Sequence, residues 1–116
     1  MNIERLDIGD VTVLRLRGDI NEAGMGALRL ALTEIAEQGR WHLVLNMAGV
    51  GFVSYMGVGV LVERLGQFQA AKGDIKLSCL SVYLRRLLRM MSLSHVLDCH
   101  ETEAQAVQGH SKQAAA

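Results

Sequence analysis

Beside the acids, the side chains that most readily supply nucleophilic, acid–base or metal chemistry form a short set. These are His42, His95, His100 and His110, the serines Ser54, Ser78, Ser81, Ser92, Ser94 and Ser111, and Cys79 and Cys99. Their spacing assembles no reaction centre. No histidine stands in a motif linking it to a nucleophile or a metal, and no serine has the GxSxG surroundings of a hydrolase elbow. Neither CxxC nor HxxxH spacing occurs, so no metal site is expected. The acids form no evident pair for proton transfer, although sequence leaves a spatial pair open. His42 reads as the boundary residue of a buried strand. No catalytic role is assigned to any residue, and no enzymatic activity or cofactor is expected.

The glycine-rich loops give the same answer for phosphate binding. Gly49-Val50-Gly51 and Gly57-Val58-Gly59 are both GxG, but Ser54 and Val62 occupy the sixth positions of GxGxxG. GxxxxGK[ST] is absent. These glycines read as permitting tight turns and close packing. A weak nucleotide contact at the start of the following helix stays open as an alternative.

The stretch Ser54–Gly57 differs in kind. It follows the near-continuous apolar run Leu43–Met47, a strand buried on both faces, and precedes an apolar stretch with helical spacing. Backbone N–H groups at such a helix start point outward, at the positive end of the helix dipole. A phosphate attached there would be tolerated by those donors and would add roughly −1.5 to −2 charges. An apolar contact at that spot would then be broken. The junction is therefore a docking surface and a candidate switch, with no pocket required.

The elements that must hold this junction follow from periodicity. Asn2–Ile8 and Val11–Arg17, joined at Gly9-Asp10, read as an antiparallel hairpin. Asn21 is a candidate N-cap for a helix over Glu22–Gln38, stopped by Gly39. The central strand follows Trp41. A second helix is expected from about Met56 to Ala71, closed by Gly73-Asp74. A strand over Ile75–Cys79, a helix over Val82–Met91 capped by Ser81, an edge strand over His95–Cys99 and a helix over Glu101–Val107 complete the order. Arg85, Arg86 and Arg89 read as the solvated face of the third helix. The fold class is α/β: one domain over residues 1–108, with a mixed, mostly parallel sheet, an N-terminal β-hairpin and about four helices packed mainly on one side. Gly109–Ala116 is expected as a flexible C-terminal tail.

Composition narrows the function classes. The 12 basic and 12 acidic residues cancel, which argues against the cationic footprint of nucleic-acid binding. No run reaches the ~18 apolar residues of a membrane span, and Met1–Asp10 lacks the apolar core of a signal peptide. A cytoplasmic location is expected, with both cysteines reduced and buried.

The run Leu45–Gly59, read LNMAGVGFVSYMGVG, resembles the centre of STAS domains, the anti-sigma factor antagonists, whose pattern is close to L-D/N-L-S-G-V-x-F-I-D-S-S-G-L-G. Gly18-Asp19-Ile20-Asn21 is similar to the family's G-E-L-D loop, Val82–Met91 with Ser92-Leu93 to its helix-plus-GL segment, and Glu103-Ala104 to the start of its last helix. The resemblance implies a protein-binding module that docks a serine-kinase anti-sigma factor, or another STAS-binding partner, to control transcription. It implies partner-binding roles for Asn21, Glu22, Ser54, Tyr55, Met56 and Gly57. In the family pattern, a serine at the start of the second helix is phosphorylated to break the complex. Here that position is Tyr55, and the preceding aspartate is Ser54. Tyr55 holds its hydroxyl much farther from the backbone than a serine does, so the usual switch is not expected. Ser54 is the phosphorylation candidate left, and Tyr55 and Met56 become contact residues. A non-phosphorylated scaffold or homo-oligomeric subunit of a signalling complex, such as a homodimer, is the alternative.

Overall fold

The computed structural model describes residues 1–115. The elements run β1 Asn2–Ile8, β2 Val11–Arg17, α1 Glu22–Glu37, β3 His42–Gly49, α2 Tyr55–Ala70, β4 Asp74–Ser78, α3 Val82–Met90, β5 Asp98–His100 and α4 Glu103–Ala115. The five strands lie side by side in sequence order. β1 pairs antiparallel with β2 through the two-residue turn Gly9-Asp10, where Gly9 sits at φ +60°. Every later pairing is parallel. This is the mixed sheet expected from the hairpin followed by alternating strands and helices.

Parallel pairing places the C-terminal ends of β2, β3 and β4 along one edge of the sheet, and the next helix starts from each. α1, α2 and α3 pack on one face through Leu28, Leu32, Ile35, Leu61, Leu65, Phe68, Leu84 and Leu87, against Leu14, Leu43, Leu45, Ile75 and Leu77. That core is aliphatic, and Trp41 adds an edge-to-face contact on Phe68 at 5.2 Å. The glycine at the end of α2 has another role than stopping the helix. Lys72 is the left-handed residue there, at φ +65°. A Cβ on Gly73 would lie 1.9 Å from the Trp41 carbonyl oxygen, so glycine is needed for close approach.

α4 alone covers the opposite face, with Ala106 and Val107 on Val11, Val13 and Val44. The sequence-based expectation from Gly109 is a flexible tail. Gly109–Ala115 is the second half of α4, and Ala116 lies outside the described residues. Gly109 lets the helix approach closely: a Cβ there would meet the Lys76 side chain at 3.1 Å and the His100 ring at 3.3 Å. His110 is buried, and its Nε2 donates to the Leu43 carbonyl at 2.9 Å. The run of small and polar residues concealed one buried anchor.

That anchor belongs to a charged cluster beneath α4. Lys76, 1% exposed in the interior of the sheet, reaches Asp74 at 3.1 Å and Asp98 at 2.6 Å. His100 Nε2 lies 3.0 Å from the same Asp98 oxygen. Burial pushes the Asp98 carboxyl up, but hydrogen bonds from Lys76 and His100 outweigh it and leave its pKa below the usual carboxylate range. His110 is shifted down by its own burial, with Lys76 and His42 pushing the same way against the hydrogen bond to Leu43. A carbonyl only accepts, so Nε2 carries the ring proton. Among the described residues, Nδ1 is buried without a hydrogen-bond partner.

Candidate functional site: the edge at the helix starts

Three helix N-termini share the edge where β2, β3 and β4 end, and all three are capped in the same way. Asn21 Oδ1 accepts from Gly24 N at 3.0 Å, Ser54 Oγ from Gly57 N at 3.0 Å, and Ser81 Oγ from Leu84 N at 3.1 Å. Each cap satisfies one of the donors left over at a helix start. Ser54 is half-buried, and its hydroxyl oxygen is already committed to the cap.

The loops before α1 and α2 are joined to one another. Ile20 and Val53 form a parallel bridge beyond the ends of β2 and β3. Ile20 N donates to Phe52 O at 2.8 Å, and Ser54 N donates to Ile20 O at 3.0 Å. Asn21 and Ser54, 33 positions apart, are thereby held next to this bridge. Gly57 closes the joint, since a Cβ there would lie 2.9 Å from Ile20 Cγ2 and 3.1 Å from Val53 Cγ1. Gly49 is equally tight: a Cβ would lie 2.7 Å from the Leu16 carbonyl oxygen. Gly59 meets no such neighbour. The close-packing reading of the glycines therefore applies to Gly49 and Gly57.

Tyr55 and Met56 project from this fixed base, 70% and 69% exposed. The Tyr55 ring is not sealed into the core. Asn21 and Glu22 are exposed beside the bridged loops, whereas Gly57 is buried. The sequence-derived residues thus divide into those that project (Glu22, Tyr55, Met56) and those that position them (Asn21, Ser54, Gly57).

The structure adds residues that sequence reasoning did not single out. Phe52, Val82 and Tyr83 are exposed apolar side chains. Phe52, Val53, Ser54, Tyr55, Tyr83 and Leu87 line a notch of about 160 Å³ between the starts of α2 and α3. One signal was available for Tyr83: it falls outside the inward stripe Leu84, Leu87, Leu88, Met91.

Other groups form no comparable site. Among the described residues, no group of three or more His, Cys, Asp and Glu side chains could hold a metal ion. No described helix is long and apolar enough to cross a membrane. The cysteines are unbridged, but they are not both buried as expected. Cys79 is half-buried, and Cys99 is exposed on the edge strand β5. Its thiol is nonetheless pushed up by burial and by Asp98, which disfavours the reactive thiolate.

A five-stranded mixed sheet, three capped helix starts along one edge and the exposed Tyr55 and Met56 at one of them define a small α/β domain. The STAS domain family matches residues 2–106, and the chain belongs to that family. It is 22% identical over 98 residues to the anti-sigma F factor antagonist of Paenibacillus polymyxa, covering 84% of each chain. Its fold is similar to that of a candidate anti-sigma factor antagonist from Thermotoga maritima, with a TM-score of 0.87, 17% identity and 94% of each chain covered. An anti-sigma factor antagonist from Mycobacterium paratuberculosis gives a TM-score of 0.85 at 18% identity, with 95% of this chain and 93% of that one covered.

Proposed function

We propose that this chain is a partner-binding regulator of transcription. It docks a serine-kinase anti-sigma factor through Asn21, Glu22, Ser54–Gly57 and the exposed face of α2, and it is not switched by phosphate at Tyr55. The carrying observation is the projection of Tyr55 and Met56 from a capped, bridged and glycine-closed base. Exposed tyrosine and methionine on a rigid mount suit an interface anchor, because the base is already ordered and little conformational freedom is lost on binding. The family relationship supports the partner class. The half-burial of Ser54 and the engagement of its Oγ in the helix cap support the non-switching reading, since a kinase would have to draw that hydroxyl out of the cap.

Calorimetric titration of the kinase anti-sigma factor from the same genome tests the docking surface. Met56→Asp should abolish the binding heat while leaving the fold intact, and unchanged affinity would refute the assignment. Intact mass after incubation with that kinase and ATP tests the switch. An unchanged mass is expected, and one phosphate mapped to Ser54 would establish a displaced switch instead.

A second reading, a scaffold or homo-oligomeric subunit, draws on β1. This seven-residue strand lies at the sheet edge with Leu6 and Ile8 exposed, and such an edge can pair with another chain. Light scattering with and without the kinase separates the two readings: a constitutive oligomer indifferent to the kinase favours the scaffold.

A further inference from the structure

α3 carries apolar side chains on two faces. Leu84, Leu87 and Leu88 point into the core. Val82, Tyr83 and Met90 are exposed, Met90 to 79%. Tyr83, Arg86 and Met90 follow one another at intervals of three and four, so they form one outward stripe. The stripe begins at the notch, where Tyr83 faces Phe52 and Tyr55 across Leu87. The apolar surface of the α2 start therefore continues along α3.

The same nine residues hold Arg85, Arg86 and Arg89 and no acid. Among the described residues, none of these guanidinium groups makes a side-chain hydrogen bond or ion pair. Other arginines of the chain do: Arg5 binds Asp7, and Arg15 binds Glu4 and Glu103. In a chain whose charges cancel overall, α3 is a local excess of positive charge beside exposed aromatic and aliphatic groups. Tyrosine, methionine and arginine are the residue types that interfaces concentrate.

We infer that the outer face of α3 is the second half of the docking surface. Its occupant is an acidic protein segment that seats one apolar side chain in the notch and sets carboxylates against the α3 arginines. This rests on the docking reading above and supplies the chemistry of the partner. The notch volume of about 160 Å³ is close to the ~150 Å³ cavity that admits benzene, so a phenylalanine or leucine side chain fits. A concave notch selects a protruding side chain. Attraction to an anionic membrane draws on clusters of roughly 4–8 basic residues, and α3 supplies three.

The test measures binding of the kinase anti-sigma factor from the same genome to four forms of the full chain: wild type, Tyr55→Asp, Tyr83→Ala and the double variant Arg86→Glu/Arg89→Glu. All the altered side chains are exposed, and circular dichroism with urea melts checks that each form folds. The arginine reversal should weaken binding about 10–100-fold at low salt, chiefly through slower association, with the loss shrinking as salt rises. Tyr83→Ala should weaken it about tenfold at any salt. If wild type binds and Tyr55→Asp does not, while the arginine reversal changes neither affinity nor salt dependence, the acidic-partner inference falls and the docking reading stands. If wild type does not bind, both fall. Sedimentation with phosphatidylserine–phosphatidylcholine vesicles that requires Arg86 and Arg89, alongside kinase binding that does not, overturns the inference in favour of a membrane surface.

Discussion

The two faces of the sheet treat polarity in opposite ways. On the α4 face, charged groups are taken inside and matched: Lys76 lies between Asp74 and Asp98, and His110 holds the Leu43 carbonyl. At the proposed docking edge, the caps and the Ile20–Val53 bridge satisfy backbone polar groups within the chain, while large apolar side chains project outward. The first arrangement makes one helix fit one sheet face. The second leaves uncovered apolar surface on a rigid mount, which is how a binding site differs from a core. Unusual side chains alone do not reveal which region works on a partner. Whether the chain itself already provides their partners does.

The sharpest way to break this contrast is Lys76→Ala. It removes the ammonium that Asp74, buried, and Asp98, exposed, share, so unfolding in urea should show a loss of about 3 kcal/mol. Kinase binding by the fraction still folded should be unaltered, since no docking residue touches Lys76. The converse is Tyr55→Asp. Binding measured by calorimetry should weaken by at least about 2 kcal/mol, while the urea midpoint moves by no more than about 0.5 kcal/mol equivalent, as for an exposed site.

A pH series sharpens the contrast further. An unfolded histidine takes up its proton near 6.5, and His110 in the fold does so only at lower pH because burial disfavours the cation. Between those values the unfolded chain binds more protons. The contribution of His110 is therefore complete above pH ~6.5 and is lost as pH falls through its lowered folded value. Urea midpoints at pH 7.5 and 5.5 should show wild type weaker at the lower pH, and His110→Phe should flatten that difference. The smallest effect is expected for Ser54→Ala, which removes the cap of α2. It should lose about 1 kcal/mol in urea, with faster amide exchange in the first turn of α2.

Much of the fold was legible because the signals were local. Gly9-Asp10 between alternating strands gives the hairpin, the run Leu43–Met47 gives the central strand, and Gly39 ends α1 at φ +70°. The stretch Ser54–Gly57 was legible for the same reason, as a strand-to-helix junction, whereas the contact roles of Tyr55 and Met56 came from the family resemblance. What escaped was tertiary. Phe52 and Tyr83 are 31 positions apart, and only the packing of α3 beside α2 brings them to one notch. Asp74, Lys76 and Asp98 meet because β4 pairs with β5, and α4 brings His110 to the Leu43 carbonyl. His110 lies in a segment whose composition reads as a solvated tail, and one buried ring among small and polar residues leaves no periodic trace.

The most direct test of the account is amide hydrogen exchange, followed by mass spectrometry, on the chain alone and bound to the kinase anti-sigma factor. The account predicts new protection in peptides covering residues 20–24, 52–59 and 82–90, with α4 unchanged. Protection confined to α4 and the sheet face beneath it, with the helix starts exchanging as in the free chain, would contradict it.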